Sequence, residues 1–260
     1  MKKVLTIAGT DCSGGAGMSA DFKTITAHKM YAEGVVTAVT AQNTMGVRSV
    51  CELDARLVGQ QLDCVFEDIF PDAVKIGMVY DEAIINITAD RLSYYKAQNI
   101  VIDPVMISTS GRRLLRDSAA RALTEKLFPL ALLITPNIPE AETLSGIKIS
   151  SEADLLDCAR KIHSFYKGNI LIKGGHAING CDDFLYKSTG ETCWFRSSRI
   201  DNPNTHGTGC TLSSAIACGL ADSKSLEESI KSSKKYLSGA LSSMLDLGKG
   251  NGPLDHCFCI

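Results

Sequence analysis

Residues 4–29, VLTIAGTDCSGGAGMSADFKTITAHK, contain a strand, a glycine-rich loop and a helix in direct succession. Val4–Ala8 is a short apolar run with β-branched residues, which favours a buried strand. Four glycines follow within residues 9–17, and they let a ligand approach the backbone closely. Met18–Lys29 continues with helical spacing. Such a unit opens many ligand-binding α/β folds, which place the site at the carboxyl ends of the strands.

The alternation of strands and helices continues along the chain. Short apolar runs predict further strands at 34–40, 73–76, 100–102, 132–134 and 170–172. Spacing and capping residues predict helices at 58–69, 81–98, 151–166 and from Ser225 to about Leu247. A short antiparallel hairpin is predicted at 184–196, and residues 248–253 are expected to form a flexible loop. The pattern is typical of an α/β fold, and we expect one domain covering residues 1–260.

Composition disfavours several classes of protein. With 45% hydrophobic and 22% charged residues in a chain of 260, the sequence is close to a globular average. The net charge of −2 and the scattered Lys and Arg residues give no reason to expect nucleic acid as a partner. No apolar run reaches the ~18 residues of a membrane span, and the start lacks a signal-peptide core, so we expect a cytoplasmic protein without a membrane partner. The ten cysteines include no CxxC pair, which disfavours zinc and predicts free thiols.

Residues 205–219, THGTGCTLSSAIACG, predict a glycine turn that enters a helix. Gly207 and Gly209 leave the backbone free to turn its N–H groups inward, and a helix start of this kind binds anions. Cys210 lies in the same turn. There the helix dipole is expected to lower the pKa of the thiol, so that a thiolate could accept a proton from a substrate hydroxyl. From these residues alone, simple packing explains Cys210 equally well.

Polar residues lie where predicted strands end. Gln42 follows the second strand and Lys173 ends a later one, so both are expected at the ligand edge of the sheet. Asn137 and Glu140, three residues apart at a helix start, could bind a hydrated Mg²⁺, although a helix cap is the commoner explanation. The first loop lacks GxGxxG and the chain lacks GxxxxGK[ST], which disfavours a Rossmann site and a P-loop.

Taken together, these segments resemble the ribokinase-like kinases, and within them the hydroxymethylpyrimidine/phosphomethylpyrimidine kinases of thiamine biosynthesis. The resemblance covers nearly the whole chain. It rests on eight motifs in family order: AGTDCSGGAGMSAD at 8–21, TAVTAQNT at 37–44, KIGM at 75–78, DPVM at 103–106, TPNIPEAE at 135–142, IKGGH at 172–176, THGTGCTLSSA at 205–215 and GKGNGPLDH at 248–256.

The resemblance implies a three-layer α/β/α fold with a mostly parallel central sheet, ATP and Mg²⁺ as co-substrates, and a homodimer. It implies that the pyrimidine is bound by Gly9, Asp21, Gln42, Met78 and Val105. It implies that the phosphates and the reacting group are bound by Lys173, Gly207, Thr208, Gly209 and Cys210. It assigns Asn137 and Glu140 to Mg²⁺ in preference to a helix cap, whereas His176 and His206 are expected to be structural hydrogen-bonders.

The function expected from this resemblance is phosphorylation of 4-amino-5-hydroxymethyl-2-methylpyrimidine and then of its monophosphate. A pyridoxal or pyridoxine kinase is the nearest alternative, because that ring also carries a hydroxymethyl arm. A non-catalytic small-molecule sensor is the alternative from another class, because a fold alone does not fix turnover.

Overall fold

The structure is a computed structural model that describes residues 1–106, 117–174 and 182–260. Its strands are β1 Lys3–Ala8, β2 Tyr31–Val36, β3 Ala38–Asn43, β4 Gly46–Glu52, β5 Ala73–Ile76, β6 Ile100–Ile102, β7 Leu133–Ile134, β8 Asn169–Lys173, β9 Asp183–Tyr186 and β10 Thr192–Phe195. Its α-helices are α1 Gly17–Ala27, α2 Ala55–Asp68, α3 Glu82–Tyr94, α4 Asp117–Ala122, α5 Ile138–Ser145, α6 Glu152–Phe165, α7 Thr208–Ala221 and α8 Leu226–Ser242. A π-turn at Leu123–Leu127 and a 3₁₀ turn at Phe128–Leu130 follow α4.

Eight strands form one sheet in the order β10-β9-β8-β7-β6-β5-β1-β2. Every pairing from β2 to β8 is parallel, and β9 and β10 add an antiparallel edge. The predicted mostly parallel sheet and the predicted hairpin are both confirmed. Continuous apolar runs such as Val4–Ala8 form these strands because helices cover the sheet on both faces.

Alternate residues of each strand enter two separate apolar clusters, one on each face of the sheet. Leu5 and Ile7 belong to one cluster, whose helical side chains come from α2, α3, α4, α5 and α6. Val4 belongs to the other, whose helical side chains come from α1, α7 and α8. This arrangement is the three-layer α/β/α architecture expected from the resemblance.

The second strand was predicted as one segment, 34–40, and the structure shows that it is two. The strand is interrupted at Thr37, which is fully buried. Thr37 donates its N–H to the Ala8 carbonyl, and its own carbonyl accepts the N–H of Leu53. After this break β3 leaves the sheet and pairs with β4 in an antiparallel ribbon, which was not predicted. Residues 38–52 are called the ribbon below.

The ends of two helices also differ from the prediction. The helix predicted at 81–98 ends at Tyr94, and left-handed residues follow at Lys96 and Asn99. The last long helix ends at Ser242 and not near Leu247, with Met244 left-handed just beyond it. Among the described residues, none of the helices is both long and apolar enough to cross a membrane.

Two glycine-rich segments cross where the strands end. Gly207 precedes α7 with φ +86°, and a Cβ atom at this position would lie 1.9 Å from the carbonyl oxygen of Gly15. Only glycine fits, because a side chain would be strained by the dihedral angle and would also collide with backbone.

We therefore expect Gly207→Ala to lower the free energy of unfolding by ~3 kcal/mol or more, through left-handed strain plus a clash with rigid backbone. Gly146→Ala is the matched control, because Gly146 ends α5 with φ +73° but has open space around its Cβ position. It should cost only ~1–2 kcal/mol of strain. Urea titrations of both variants measure the difference, and equal losses would show that the crossing tolerates a side chain.

Candidate active site

A cavity of about 810 Å³ opens at the carboxyl ends of the parallel strands, the expected place for a ligand in such a sheet. The ribbon, the loop after β1 and the start of α7 all contribute to its wall. The structure brings nearly all of the sequence-predicted site residues together there: Gly9, Gln42, Met78, Val105, Asn137, Glu140, Lys173, Gly207, Thr208, Gly209 and Cys210.

One end of the cavity, where the phosphates are expected, is the start of α7. Because the N-cap residue is Gly207, no side chain caps this helix. The N–H of Thr208 donates to the Thr205 carbonyl at 3.3 Å. The next two residues, Gly209 and Cys210, line the cavity at the positive end of the helix dipole. This geometry matches the anion site predicted from the sequence.

A buried ion pair lies against this turn. Lys173 Nζ is 2.5 Å from Asp103 Oδ1, which also accepts a hydrogen bond from Thr135 Oγ1 at 3.2 Å. A Cβ atom on Gly209 would lie 3.3 Å from the ammonium and 3.2 Å from Asp103 Oδ2. Burial lowers the pKa of Lys173, but the carboxylates of Asp103 and Glu140 raise it by more, so Lys173 is an ammonium at neutral pH. Asp103 was missed as a site residue, although an aspartate directly after a strand is a signal for one.

The prediction of a lowered pKa for Cys210 is wrong. Burial raises the pKa of this thiol to about 11; the Lys75 ammonium opposes the rise and the carboxylates of Asp21 and Asp103 add to it. The helix dipole therefore does not decide the protonation state, because loss of hydration costs the thiolate more than the dipole returns. At neutral pH Cys210 is a thiol.

Asp21 was expected against the pyrimidine, but it does not line the cavity. It is fully buried behind Lys75, whose Nζ lies 2.8 and 2.9 Å from its two carboxylate oxygens. Thr6 and Ser214 also donate to Asp21, at 2.6 and 2.7 Å. Lys75 does line the cavity and was missed, although a lysine inside the apolar strand Ala73–Ile76 was an available signal.

Asn137 and Glu140 form a helix cap. This corrects the expectation from the resemblance that they bind Mg²⁺ in preference to capping the helix. Asn137 Oδ1 accepts the N–H of Glu140 at 2.9 Å, and Glu140 Oε2 accepts the N–H of Asn137 at 2.9 Å. The other carboxylate oxygen faces the N–H of Met106 at 3.3 Å. Burial raises the pKa of Glu140 to about 7; the Lys173 ammonium opposes this rise and Asp103 adds to it.

The donor set suits a hydrated Mg²⁺ better than a directly ligated one. Both oxygens of Glu140 already accept backbone N–H groups. Within 1–106, 117–174 and 182–260, no three His, Cys, Asp or Glu side chains are grouped as metal ligands. Mg²⁺ keeps several of its waters and takes most of its other ligands from substrate phosphates, so the two residues fit an ion held through water.

The other end of the cavity, where the ring is expected, is formed by the ribbon and the first loop. Gln42 lies on β3 beside a bulge, and its side chain hydrogen-bonds Asp11. Burial raises the pKa of Asp11, but hydrogen bonds from His206, Ser13 and Gln42 hold it well below its usual range. Asp11 is therefore ionised at neutral pH, and its carboxylate accepts a hydrogen bond from the Gln42 amide.

The prediction that His206 is a structural hydrogen-bonder is confirmed. Its Nε2 lies 3.0 Å from Asp11 Oδ2, which joins the first loop to the turn before α7. His176 lies outside the described residues.

Comparison with known proteins agrees with this site. The chain matches the family model described as phosphomethylpyrimidine kinase over residues 11–255. A hydroxymethylpyrimidine/phosphomethylpyrimidine kinase of Haemophilus influenzae is 40% identical over 260 residues, which cover 98% of this chain and 97% of the relative. The thiamine biosynthesis bifunctional protein ThiED of Geobacter sulfurreducens is 44% identical over 97% of this chain, but the match spans only about half of that protein, 52% of its length.

Among solved structures, an ADP complex of Bacillus subtilis pyridoxal kinase superposes with a TM-score of 0.89 at 34% identity. The match covers 98% of this chain and 97% of the pyridoxal kinase. The family model covers more than nine-tenths of the sequence, and the full-length relative carries the same two-part name as the sequence resemblance. The chain therefore belongs to the phosphomethylpyrimidine kinase family.

Proposed function

We propose that the protein is an ATP-dependent kinase that phosphorylates the hydroxymethyl group of 4-amino-5-hydroxymethyl-2-methylpyrimidine. In a second step it phosphorylates the monophosphate to the diphosphate, within thiamine biosynthesis. One observation carries the proposal: a single cavity holds a hydrogen-bonding amide, Gln42, at one end and an uncapped helix start with a buried ammonium, Lys173, at the other. Such a cavity can hold a polar ring and a phosphate chain together.

Phosphoryl transfer mainly requires positioning and neutralisation of charge on the transferred group. Backbone N–H groups at Gly209 and Cys210, with the Lys173 ammonium beside Gly209, would supply that neutralisation without reorganisation. Asp103 fixes the ammonium in place. The wall formed by residues 197–202 and by α8 is left for the nucleoside, and the structural neighbour from Bacillus subtilis is an ADP complex.

We also propose Mg²⁺ as a co-substrate. Asn137 and Glu140 would hold it through its water shell, and when bound it would neutralise charge on the nucleotide phosphates. The raised pKa of Glu140, about 7, means that the carboxylate is only partly ionised at neutral pH before a cation arrives. A cation near this side chain would favour its ionised form.

Cys210 is proposed to accept the proton of the substrate hydroxyl. Because burial raises the pKa of the thiol to about 11, the thiolate is a minor form in the free protein at pH 7. A nearby ammonium, Lys75, is the group that favours that form. The loose transition state of phosphoryl transfer asks for little proton removal before the phosphorus–oxygen bond forms, so a minor thiolate is compatible with turnover.

The remaining expectations are part of the same proposal. One domain over residues 1–260 is supported by the sheet, whose strands are drawn from Lys3 to Phe195. A homodimer and a cytoplasmic location rest on the resemblance and on the composition. A sensor without turnover is disfavoured because the anion turn, Lys173, Cys210 and the Asn137–Glu140 pair are all present around one cavity.

A coupled ADP-release assay tests the proposed function directly. We expect ADP release with 4-amino-5-hydroxymethyl-2-methylpyrimidine and ATP-Mg²⁺, and formation of both the monophosphate and the diphosphate by mass spectrometry. Turnover only with pyridoxal would favour the pyridoxal kinase alternative, which the similarity to the Bacillus subtilis enzyme supports. No turnover with either ring would favour the sensor.

Cys210→Ala should lower kcat by ~10²–10⁴-fold with little change in the Kd for nucleotide, because a general base is lost. The thiol is protonated below its raised pKa and the thiolate grows as pH rises, so kcat/KM of the wild type should rise between pH 7 and pH 9. This rise should be absent in Cys210→Ala. Cys218→Ala is the matched control, since Cys218 is another buried thiol of α7 with a raised pKa but does not line the cavity. If kcat/KM of Cys210→Ala still rises with pH as in the wild type, Cys210 has only a packing role.

Gln42 provides a test of ring choice. With one N–H given to Asp11, its amide retains an oxygen and a second N–H, which can pair with the exocyclic amine and adjacent ring nitrogen of the aminopyrimidine. Pyridoxal has no such adjacent pair. Gln42→Met should therefore reduce the preference for the aminopyrimidine over pyridoxal, measured as a ratio of kcat/KM, by ~10-fold or more. The ratio is its own control, because general damage lowers both rates. An unchanged ratio would mean that Gln42 does not read the ring.

A further inference from the structure

Residues 248–253 were expected to form a flexible loop, but residues 248–252 of it, called the tail loop, are hydrogen-bonded on two sides. On one side they hold the turn of the ribbon. The N–H groups of Lys249 and Gly250 both donate to Thr44 Oγ1 at 3.2 Å, and the N–H of Asn251 donates to the Thr44 carbonyl at 3.1 Å. Three backbone donors of the tail loop thus converge on one threonine.

On the other side the tail loop holds the segment that leads into α7. Asn251 Oδ1 accepts the N–H of Thr205 at 2.8 Å and lies 3.2 Å from the Thr205 hydroxyl. Asn204 Oδ1 accepts the N–H of Gly252 at 2.9 Å, and His206 donates its N–H to the Gly252 carbonyl at 3.1 Å. The expectation of a flexible loop is corrected, because four of its residues, 249–252, hydrogen-bond the ribbon or the segment before α7.

The two sides of the tail loop lie close in sequence to the two ends of the cavity. Thr44 is two residues beyond Gln42, and Thr205 is two residues before Gly207. The ribbon lies outside the eight-stranded sheet, so the sheet itself does not fix its distance from α7. Asn251 bonds both segments, through its backbone to Thr44 and through its side chain to Thr205.

We infer that Asn251 is a positioning residue that couples ring binding at the ribbon to nucleotide binding at the start of α7. The inference rests on the proposed function. A ligand at either end must order its own segment, and through Asn251 it also orders the segment at the other end. The second ligand then binds a segment that has already lost its conformational entropy, so it binds more tightly. The two affinities are therefore positively coupled.

The chemistry of the side chain explains the choice of asparagine. Its oxygen accepts from the Thr205 backbone while its Nδ2 donates to the Thr205 hydroxyl at 3.2 Å. Aspartate would keep the acceptor and lose only the donor. Alanine would lose both and leave the part-buried N–H of Thr205 without that partner.

The test is the coupling factor, measured by calorimetry on the full chain. It is the ratio of Kd values for AMP-PCP without and with the saturating ring ligand, the aminopyrimidine or, if that does not bind, pyridoxal. We expect a factor of ~5 or more in the wild type and a factor near one in Asn251→Ala, while each ligand alone binds within ~3-fold of the wild type. Asn251→Asp should restore most of the coupling.

Asn169→Ala is the matched control. Asn169 is also an amide that bridges two segments, since it donates to the Leu132 carbonyl at 2.9 Å and accepts the N–H of Ser188 at 3.0 Å, but it does not line the cavity. It should leave the coupling factor unchanged. Thr44→Val removes the hydroxyl that accepts the N–H groups of Lys249 and Gly250 but keeps the carbonyl that accepts from Asn251. It should lower the coupling factor in part, and it keeps the test available if Asn251→Ala fails to fold.

The outcomes separate the two proposals. Coupling that survives in Asn251→Ala, falls equally in Asn169→Ala or is absent from the wild type overturns the positioning role. Coupling that is lost in Asn251→Ala supports it. Binding of pyridoxal alone as the ring ligand, with coupling that depends on Asn251, would overturn the proposed substrate and leave the positioning role standing.

Discussion

The buried ion pair between Asp21 and Lys75 is the interaction on which the active-site end of the sheet depends. Asp21 comes from α1 and Lys75 from β5, and the same carboxylate also accepts from Thr6 on β1 and Ser214 on α7. Four elements from both ends of the chain are therefore fixed around one charge. A charge buried to this extent is stable only while its partner remains, because an unpaired ion in the interior costs several kcal/mol. The pair thus sets where α7 begins relative to the ends of the strands.

Burial also sets the chemistry of the cavity floor. Lys75 and Lys173 remain cations because each has a carboxylate beside it, Asp21 and Asp103 respectively. Burial raises the pKa of Cys210 to about 11, because the Lys75 ammonium offsets only part of the loss of hydration. The floor therefore holds two ammonium groups, each paired with a carboxylate, and a thiol that is protonated at neutral pH. That balance suits a reaction in which negative charge is moved and little proton transfer is needed.

The sequence predicted the sheet well because each buried strand is a local apolar run that needs no information from elsewhere in the chain. It also placed Gln42 and Lys173 at the ligand edge, since the ends of parallel strands meet there. The sequence-based prediction failed where local structure depends on a contact with a residue far away in the chain. The break at Thr37 depends on Ala8 and Leu53, and the order of the tail loop depends on Thr44, about 200 residues away in the chain. Asp21 was expected at the ring but is buried in the core, because the fold pairs it with Lys75. The pKa of Cys210 is raised and not lowered, because burial removes the hydration of the thiolate, and burial cannot be read from the local sequence.

The break at Thr37 also bears on how this protein can change over generations. The ribbon that begins there carries Gln42, yet none of its residues belongs to either apolar cluster of the described chain. With the role proposed for Gln42, substitutions in the ribbon alter the choice of ring without repacking the interior, whereas a change at Asp21 disturbs four elements at once. The proposed residues for ring choice lie on the ribbon, and those for phosphoryl transfer lie on the sheet and α7. Selection can retune the vitamin precursor accepted by the enzyme while the machinery that moves the phosphoryl group stays constant.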